Sequence, residues 1–220
     1  MKVKLVKFSN SSDLVKKLVG DITKIAMNKS SYNFCITPQK NLLPFLNIIQ
    51  KYWSKNNYLF PGIKWFISSE VINDQYKIPL FYTYLKTNFF DHINSSQNDV
   101  FYPSTKGNLI DNSLLFDRQI SSRKGLDLLV CMMDEKGQLA YLKNDLNPSK
   151  RMDIIKLDNG QKILTLGLTS ILEIKKIMII YTGTNHEVIN RINNPNRHLD
   201  NVISYFNYHD DTTVFYISND

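Results

Sequence analysis

One stretch limits the fold of this chain more than any other. Leu126 to Met132 is almost continuously apolar, bounded by Gly125 before it and by an Asp134–Gly137 turn after it. A run that short and that apolar fits a strand buried on both faces of a parallel sheet. The segments around it alternate between the two periodicities. Strand patterns cover Val3 to Phe8, Tyr32 to Thr37, Ile63 to Ser68, Lys162 to Leu168, Lys176 to Tyr181 and Thr213 to Ile217. Helical patterns fall between them. Leu14, Leu18, Ile22 and Ile25 recur at helical spacing behind a Ser11-Ser12-Asp13 cap. Leu43, Leu46, Ile49 and Trp53 line a second helix, with Pro44 in its first turn. Pro79 opens a third, and Leu114 to Ser122, Ser170 to Lys175, Asn185 to Ile192 and Asn201 to Asn207 supply the rest. Such alternation predicts an α/β fold: a three-layer, largely parallel open sheet with helices on both faces. Asn94 to Asn112 is polar and reads as a surface loop or lid. No linker or internal repeat divides the 220 residues, so residues 1–220 are expected to form one domain.

Composition narrows the function classes. Hydrophobic residues make up 43% of the chain, which excludes a disordered class. No apolar run approaches the roughly 20 residues of a membrane span, and Met1 to Phe8 lacks the apolar core of a signal peptide. Cys35 and Cys131 each sit in an apolar run, which reads as two small core residues in a reducing, cytoplasmic location. The formal charge of +7 suits nucleic acid or a small anionic ligand. The lysines are scattered, however, and no nucleic-acid motif appears, so nucleic acid is not the expected partner. There is no glycine-rich nucleotide loop, nucleophile elbow or Cys/His metal spacing, so neither cofactor nor metal is expected. The aromatic pairs Tyr52-Trp53, Phe81-Tyr82 and Phe89-Phe90 fall at core spacing and read as packing.

Several segments follow one another in a recognisable order. Gly125 to Leu129 leads into Gly137-Gln138-Leu139-Ala140-Tyr141. Lys162-Ile163-Leu164-Thr165-Leu166-Gly167 leads into Ile171-Leu172, then an apolar strand, then Gly183-Thr184-Asn185-His186. Ser204 to His209 precedes the last strand. This collinear series resembles the glucosamine-6-phosphate deaminase and 6-phosphogluconolactonase family, from about residue 10 onward. No single motif is strong.

The resemblance implies a site, and the residues depart from it repeatedly. Where the family has a Gly-Ser-Thr-Pro phosphate loop, this chain has Pro38-Gln39-Lys40-Asn41, leaving Gln39 and Lys40 as the candidate phosphate contacts. Where the family has an Asp-Glu pair whose Asp takes a substrate proton, this chain has Ser69-Glu70. A serine cannot act as a base near neutral pH without an activating partner. Glu70 is a candidate carboxylate, with an exposed loop acid as the plainer reading. The family Asp-Gly-His turn is Lys136-Gly137-Gln138 here, and glutamine has no usable pKa. Lys143 stands where the family has Glu. Asp134 and Glu135 read as turn acids. Lys162 stands where the family often has Arg, and His186 where it has Lys; both retain anion-holding chemistry. His209 matches a position implied to be structural, while His92 and His198 read as surface residues. The expected partner is a phosphorylated sugar or similar small anion. The readings left open are binding with catalysis lost, an active isomerase or deaminase with a rewired site, and a regulatory or nucleic-acid-associated module. A homo-oligomer is compatible with the sequence but is not specified by it.

Overall fold

A computed structural model describes residues 3–27, 31–56, 62–73, 78–93, 95–142, 147–193 and 202–218. Ten strands are present among them: β1 (Lys4–Phe8), β2 (Tyr32–Ile36), β3 (Ile63–Ile67), β4 (Ser69–Ile72), β5 (Val100–Phe101), β6 (Leu128–Met133), β7 (Met152–Lys156), β8 (Lys162–Leu166), β9 (Ile177–Tyr181) and β10 (Thr212–Ile217). The α-helices are α1 (Ser11–Met27), α2 (Leu43–Lys55), α3 (Leu80–Asn88), α4 (Leu109–Ser121), α5 (Leu168–Leu172), α6 (His186–Asn193) and α7 (Val202–Tyr205). Seven strands form one parallel sheet in the order β1-β10-β9-β6-β2-β3-β5.

Every residue of β6 is buried. Alternation along the strand sends its side chains into two cores. Leu128, Val130 and Met132 join Phe34, Trp65 and the apolar faces of α1, α2 and α3. Leu129, Cys131 and Met133 join Ile177, Ile179 and residues of α4 to α7. In the first core Trp65 packs against Phe34, Phe89 and Phe90 at ring-centroid distances of 4.8, 5.4 and 5.6 Å. Both cysteines are buried and unbridged.

The amino-terminal end of the sheet is tied together by Asp127. Its carboxylate accepts the Asn33 backbone N–H at 2.9 Å and the Lys175 ammonium at 2.7 Å. Asn33 returns the contact by donating its side-chain amide to the Arg123 and Gly125 carbonyls. One buried acid therefore fixes how β2, β6 and the approach to β9 begin.

Two expectations need correction. The strand over Lys162 to Leu168 does form, as β8, but not in the parallel sheet. It lies between β4 and β7 in a separate three-stranded antiparallel sheet. An apolar five-residue strand carries no mark of which sheet it will join, and β7 is short and charged at two of its five positions. Asn94 to Asn112 is also more ordered than a loop or lid. Asn94 lies outside the described residues, but beyond it come a 3-10 turn at 97–99, β5 at the sheet edge and the first turn of α4. The polar residues that suggested a loop are caps: Ser96 accepts the Asn98 N–H and Asn108 accepts the Ile110 N–H.

Replacing Asp127 with Ala strands the buried Asn33 N–H, and a loss of about 2 kcal/mol is expected. Lys175→Ala removes only the exposed partner and is expected to cost under about 1 kcal/mol. Urea denaturation midpoints check both, and equal losses would contradict the tether.

Candidate functional site at the carboxyl ends of the parallel strands

Chain connections leave β2 and β6 in opposite directions. β2 leads to β3 on one side, whereas β6 leads eventually to β9 on the other. Such a switch point opens a crevice at the carboxyl ends of the strands, where open α/β sheets bind ligands. Residues 37–41 follow β2 at this edge, 134–141 follow β6 and 182–186 follow β9. Ser69 follows β3.

The loop after β2 is strapped to the segment around β6. Gln39 is half-buried. Its Oε1 accepts the Met132 N–H at 2.9 Å and the Thr37 hydroxyl at 2.7 Å, and its Nε2 donates to the Met132 carbonyl at 3.4 Å. This side chain holds backbone rather than reaching outward. Lys40 begins the helical segment that continues into α2. It is exposed and, among the described residues, pairs with no carboxylate. Tyr141 donates its hydroxyl to the Pro38 carbonyl at 3.0 Å and stacks on Phe81, with centroids 5.8 Å apart and planes 7° apart. Burial pushes the Tyr141 phenol well above its ordinary pKa, reinforced by Tyr84 and Glu70.

Glu70 corrects the plainer sequence reading of it. It is fully buried, not an exposed loop acid. Its Oε1 accepts the Val71 and Phe81 N–H groups at 2.8 Å, and its Oε2 accepts the Tyr82 N–H at 2.9 Å. Pro79, the residue before α3, offers that helix no side-chain cap. Glu70 caps it from ten residues upstream, where the helix dipole favours a carboxylate. Burial raises its pKa above 4.5, and the backbone donors of Phe81, Tyr82, Val71 and Leu80 pull it back.

Ser69 is also fully buried. Its Oγ lies 2.8 Å from the Thr165 Oγ1 and 3.1 Å from the Ser68 Oγ. The chain of hydroxyls holds β4 to β8 and supplies no base. Gln138 is half-buried in the turn after β6. There Asp134 Oδ1 accepts the Lys136 and Gln138 N–H groups at 2.9 and 2.8 Å. Glu135 is exposed and leans on the next loop, accepting the Thr184 N–H at 3.3 Å. A Cβ at Gly183 would lie 2.7 Å from the Tyr181 hydroxyl oxygen and 2.8 Å from Glu135 Cγ, so a larger residue there would displace one of these side chains. His186 is the first residue of α6. Lys143 and His198 lie outside the described residues.

Lys162 is exposed at the start of β8, opposite Ile72. It lies three positions along the strand from Thr165, roughly 10 Å, and so stands at the outer end of this ladder. His92 is exposed. His209 is buried and structural: its Nδ1 accepts the Asp211 N–H, so Nε2 carries the proton given to the Ile174 carbonyl. Sequence reasoning missed the strap made by Gln39 and Tyr141. No local signal could have found it, because the partner of each side chain, Met132 for Gln39 and Pro38 for Tyr141, lies about 90 to 103 residues away in sequence. Among the described residues no helix is long and apolar enough to cross a membrane.

Comparison with known proteins gives a consistent picture. No family model matches the chain. A glucosamine-6-phosphate deaminase from Clostridium botulinum is 25% identical over 132 residues, and that match spans only about half of the relative's length, 51%. The deaminase from Malacoplasma penetrans is 21% identical across 98% of both chains. A solved structure of a monomeric glucosamine-6-phosphate deaminase superposes with a TM-score of 0.88 over 99% of this chain and 98% of its own, at 16% identity. The 6-phosphogluconolactonase of Thermotoga maritima gives 0.75 over 98% and 99%, also at 16%. At those identities the structures establish the fold.

Glu70 supplies a test with a definite sign. A raised carboxyl pKa adds stability below its unfolded value, and that increment is lost as pH rises through the folded value. The wild type is therefore expected to be more stable relative to Glu70→Gln near pH 4 than near pH 7.5. Paired denaturant titrations read this. A difference that grows with pH would mean the helix donors outweigh desolvation.

Proposed function

We propose, from the premise that the chain is a divergent member of the glucosamine-6-phosphate deaminase and 6-phosphogluconolactonase family, that it binds a phosphorylated sugar at the β2/β6 switch point with catalysis lost or altered. The relatives, named as deaminases and lactonases of phosphorylated sugars, support a sugar-phosphate function. The lost or altered turnover is this chain's own feature, and one observation carries it. The residue in the family's proton-abstracting position, Ser69, is buried and bonded to Thr165 and Ser68, while its neighbour Glu70 is held by backbone donors.

Each proton-moving group at the crevice is thus absent or engaged. Gln138 replaces the histidine, and a glutamine amide can only donate or accept hydrogen bonds. Asp134 is held by its own turn. The anion-holding side keeps more. Lys40 is exposed at a helical start beside the β2 carboxyl end, Lys162 is exposed at the start of β8, and His186 opens α6. Backbone N–H groups at a helix start favour an anion. The same reading places the protein in the cytoplasm, where phosphorylated sugars are handled, and leaves its oligomeric state unassigned.

A thermal-shift series with glucosamine 6-phosphate, fructose 6-phosphate and 6-phosphogluconate tests the proposal. A ligand at a hundred times its Kd stabilises by about 2.7 kcal/mol, which for a chain of this size raises Tm by roughly 5–10 °C. Lys40→Ala and Lys162→Ala are each expected to reduce that shift. Turnover of the same compounds is expected to be reduced by a factor of roughly 10² or more for each lost acid or base. Ordinary deaminase or lactonase turnover would remove the loss of catalysis. No shift with any phosphosugar would remove the binding site.

A further inference from the structure

The loop at 38–41 lacks the glycine that lets family backbone approach a phosphate, yet it is held firmly. Two consecutive non-glycine residues, Ala140 and Tyr141, lie in the left-handed region with φ of 51° and 72°. An L-residue there costs about 1–2 kcal/mol. A bulky residue keeps that conformation only where its surroundings over-determine it. For Tyr141 those surroundings are explicit. Its hydroxyl bonds the Pro38 carbonyl, and its ring lies flat on Phe81, whose N–H is in turn held by Glu70. From the other side Gln39 fastens the same loop to the Met132 backbone. A continuous series of contacts thus runs from the buried carboxylate of β4, through the first turn of α3 and Tyr141, to the loop that precedes Lys40.

We propose that Tyr141 is a positioning residue for the ligand site: its hydroxyl fixes the Pro38 carbonyl, and so aims the start of the Lys40 helical segment at the phosphate. It does the task that loop glycine does elsewhere, by bracing a stiffer loop instead of letting a flexible one fit. Pro38 contributes because its φ is fixed near −65°, so one bond to its carbonyl restricts the peptide plane that follows. The inference rests on the proposed phosphosugar site and adds to it a residue outside the family's phosphate loop.

The test uses the full chain and the variant Tyr141→Phe, which keeps the ring, the stack and the backbone but removes the hydroxyl. Thr23→Val is the control, since Thr23 accepts the Trp53 indole N–H at 2.8 Å in the core between α1 and α2. Each variant loses one hydrogen bond, part-buried at Tyr141 and buried at Thr23, so the control is expected to lose at least as much stability as Tyr141→Phe. Titrations with fructose 6-phosphate and with inorganic phosphate are expected to give a Kd about tenfold higher for Tyr141→Phe and unchanged for Thr23→Val. Amide exchange across residues 37–42 is expected to accelerate in Tyr141→Phe without any ligand. Faster exchange with unchanged Kd values overturns the positioning role and leaves a purely structural bond. Unchanged exchange overturns the brace itself. A wild type that binds neither compound overturns the phosphosugar site, and with it any ligand for Tyr141 to position.

Discussion

Burial of β6 on both faces is the constraint on which the rest of this structure depends. A strand with apolar side chains on both faces requires cover above and below it, so α1 to α3 occupy one layer and α4 to α7 with the small sheet occupy the other. Parallel neighbours follow, because each return along the chain must cross a face of the sheet. All the strand ends of one kind then lie along one edge. Asp127 sets the opposite, amino-terminal end by holding β2, β6 and the approach to β9 to a common start. The crevice is therefore a consequence of the core: the loops that could hold a ligand are those left at the carboxyl edge where the connections diverge.

Within that frame the polar residues have been reassigned from chemistry to construction. Glu70 is one position from the residue aligned with the family's base, yet it serves as the cap of a helix preceded by a proline. Ser69 links β4 to β8, two neighbours in the small antiparallel sheet, through Thr165. Gln39, next to the only lysine of its loop, is used on the Met132 backbone. Gly167 has a comparable role: a Cβ there would stand 2.2 Å from the Lys150 carbonyl oxygen, so the Thr-x-Gly pattern records a close backbone approach. Such a pattern therefore has a packing reason of its own, separate from any reaction chemistry. The cations that remain, Lys40 and Lys162, are exposed and are not needed to hold the fold together.

Much of the architecture was legible from particular residues. The apolar runs at Tyr32, Leu126 and Lys176 mark β2, β6 and β9 to within two residues, because a strand buried on both sides has no polar face to blur its edges. The 3.6-residue spacing marks α1 equally well, but Ser11, Ser12 and Asp13 form its first turn, and the cap is Asn10, whose Oδ1 accepts the Asp13 N–H at 3.0 Å. Where reading failed, the reason lies in partners distant in sequence. β8 pairs with β4, about 90 residues earlier, and with β7, and nothing in Lys-Ile-Leu-Thr-Leu distinguishes an antiparallel ladder from a parallel one. Polar residues at 96 and 108 looked like loop and proved to be caps.

The site divides in the same way. Sequence alone determined which side chains stand at the positions the resemblance points to: a serine, a glutamine and a proline-led loop, none of which carries a carboxylate, an imidazole or a glycine. Sequence alone also determined the alternation of strands and helices, which is local periodicity. Only the tertiary structure decided what the remaining polar groups do. Whether Glu70 is an exposed acid, a base or a cap depends on where a helix ten residues away begins, and whether the Tyr141 hydroxyl matters depends on Pro38, 103 residues away. Those are contacts between separate segments, and burial of the core, not local sequence, brings them together.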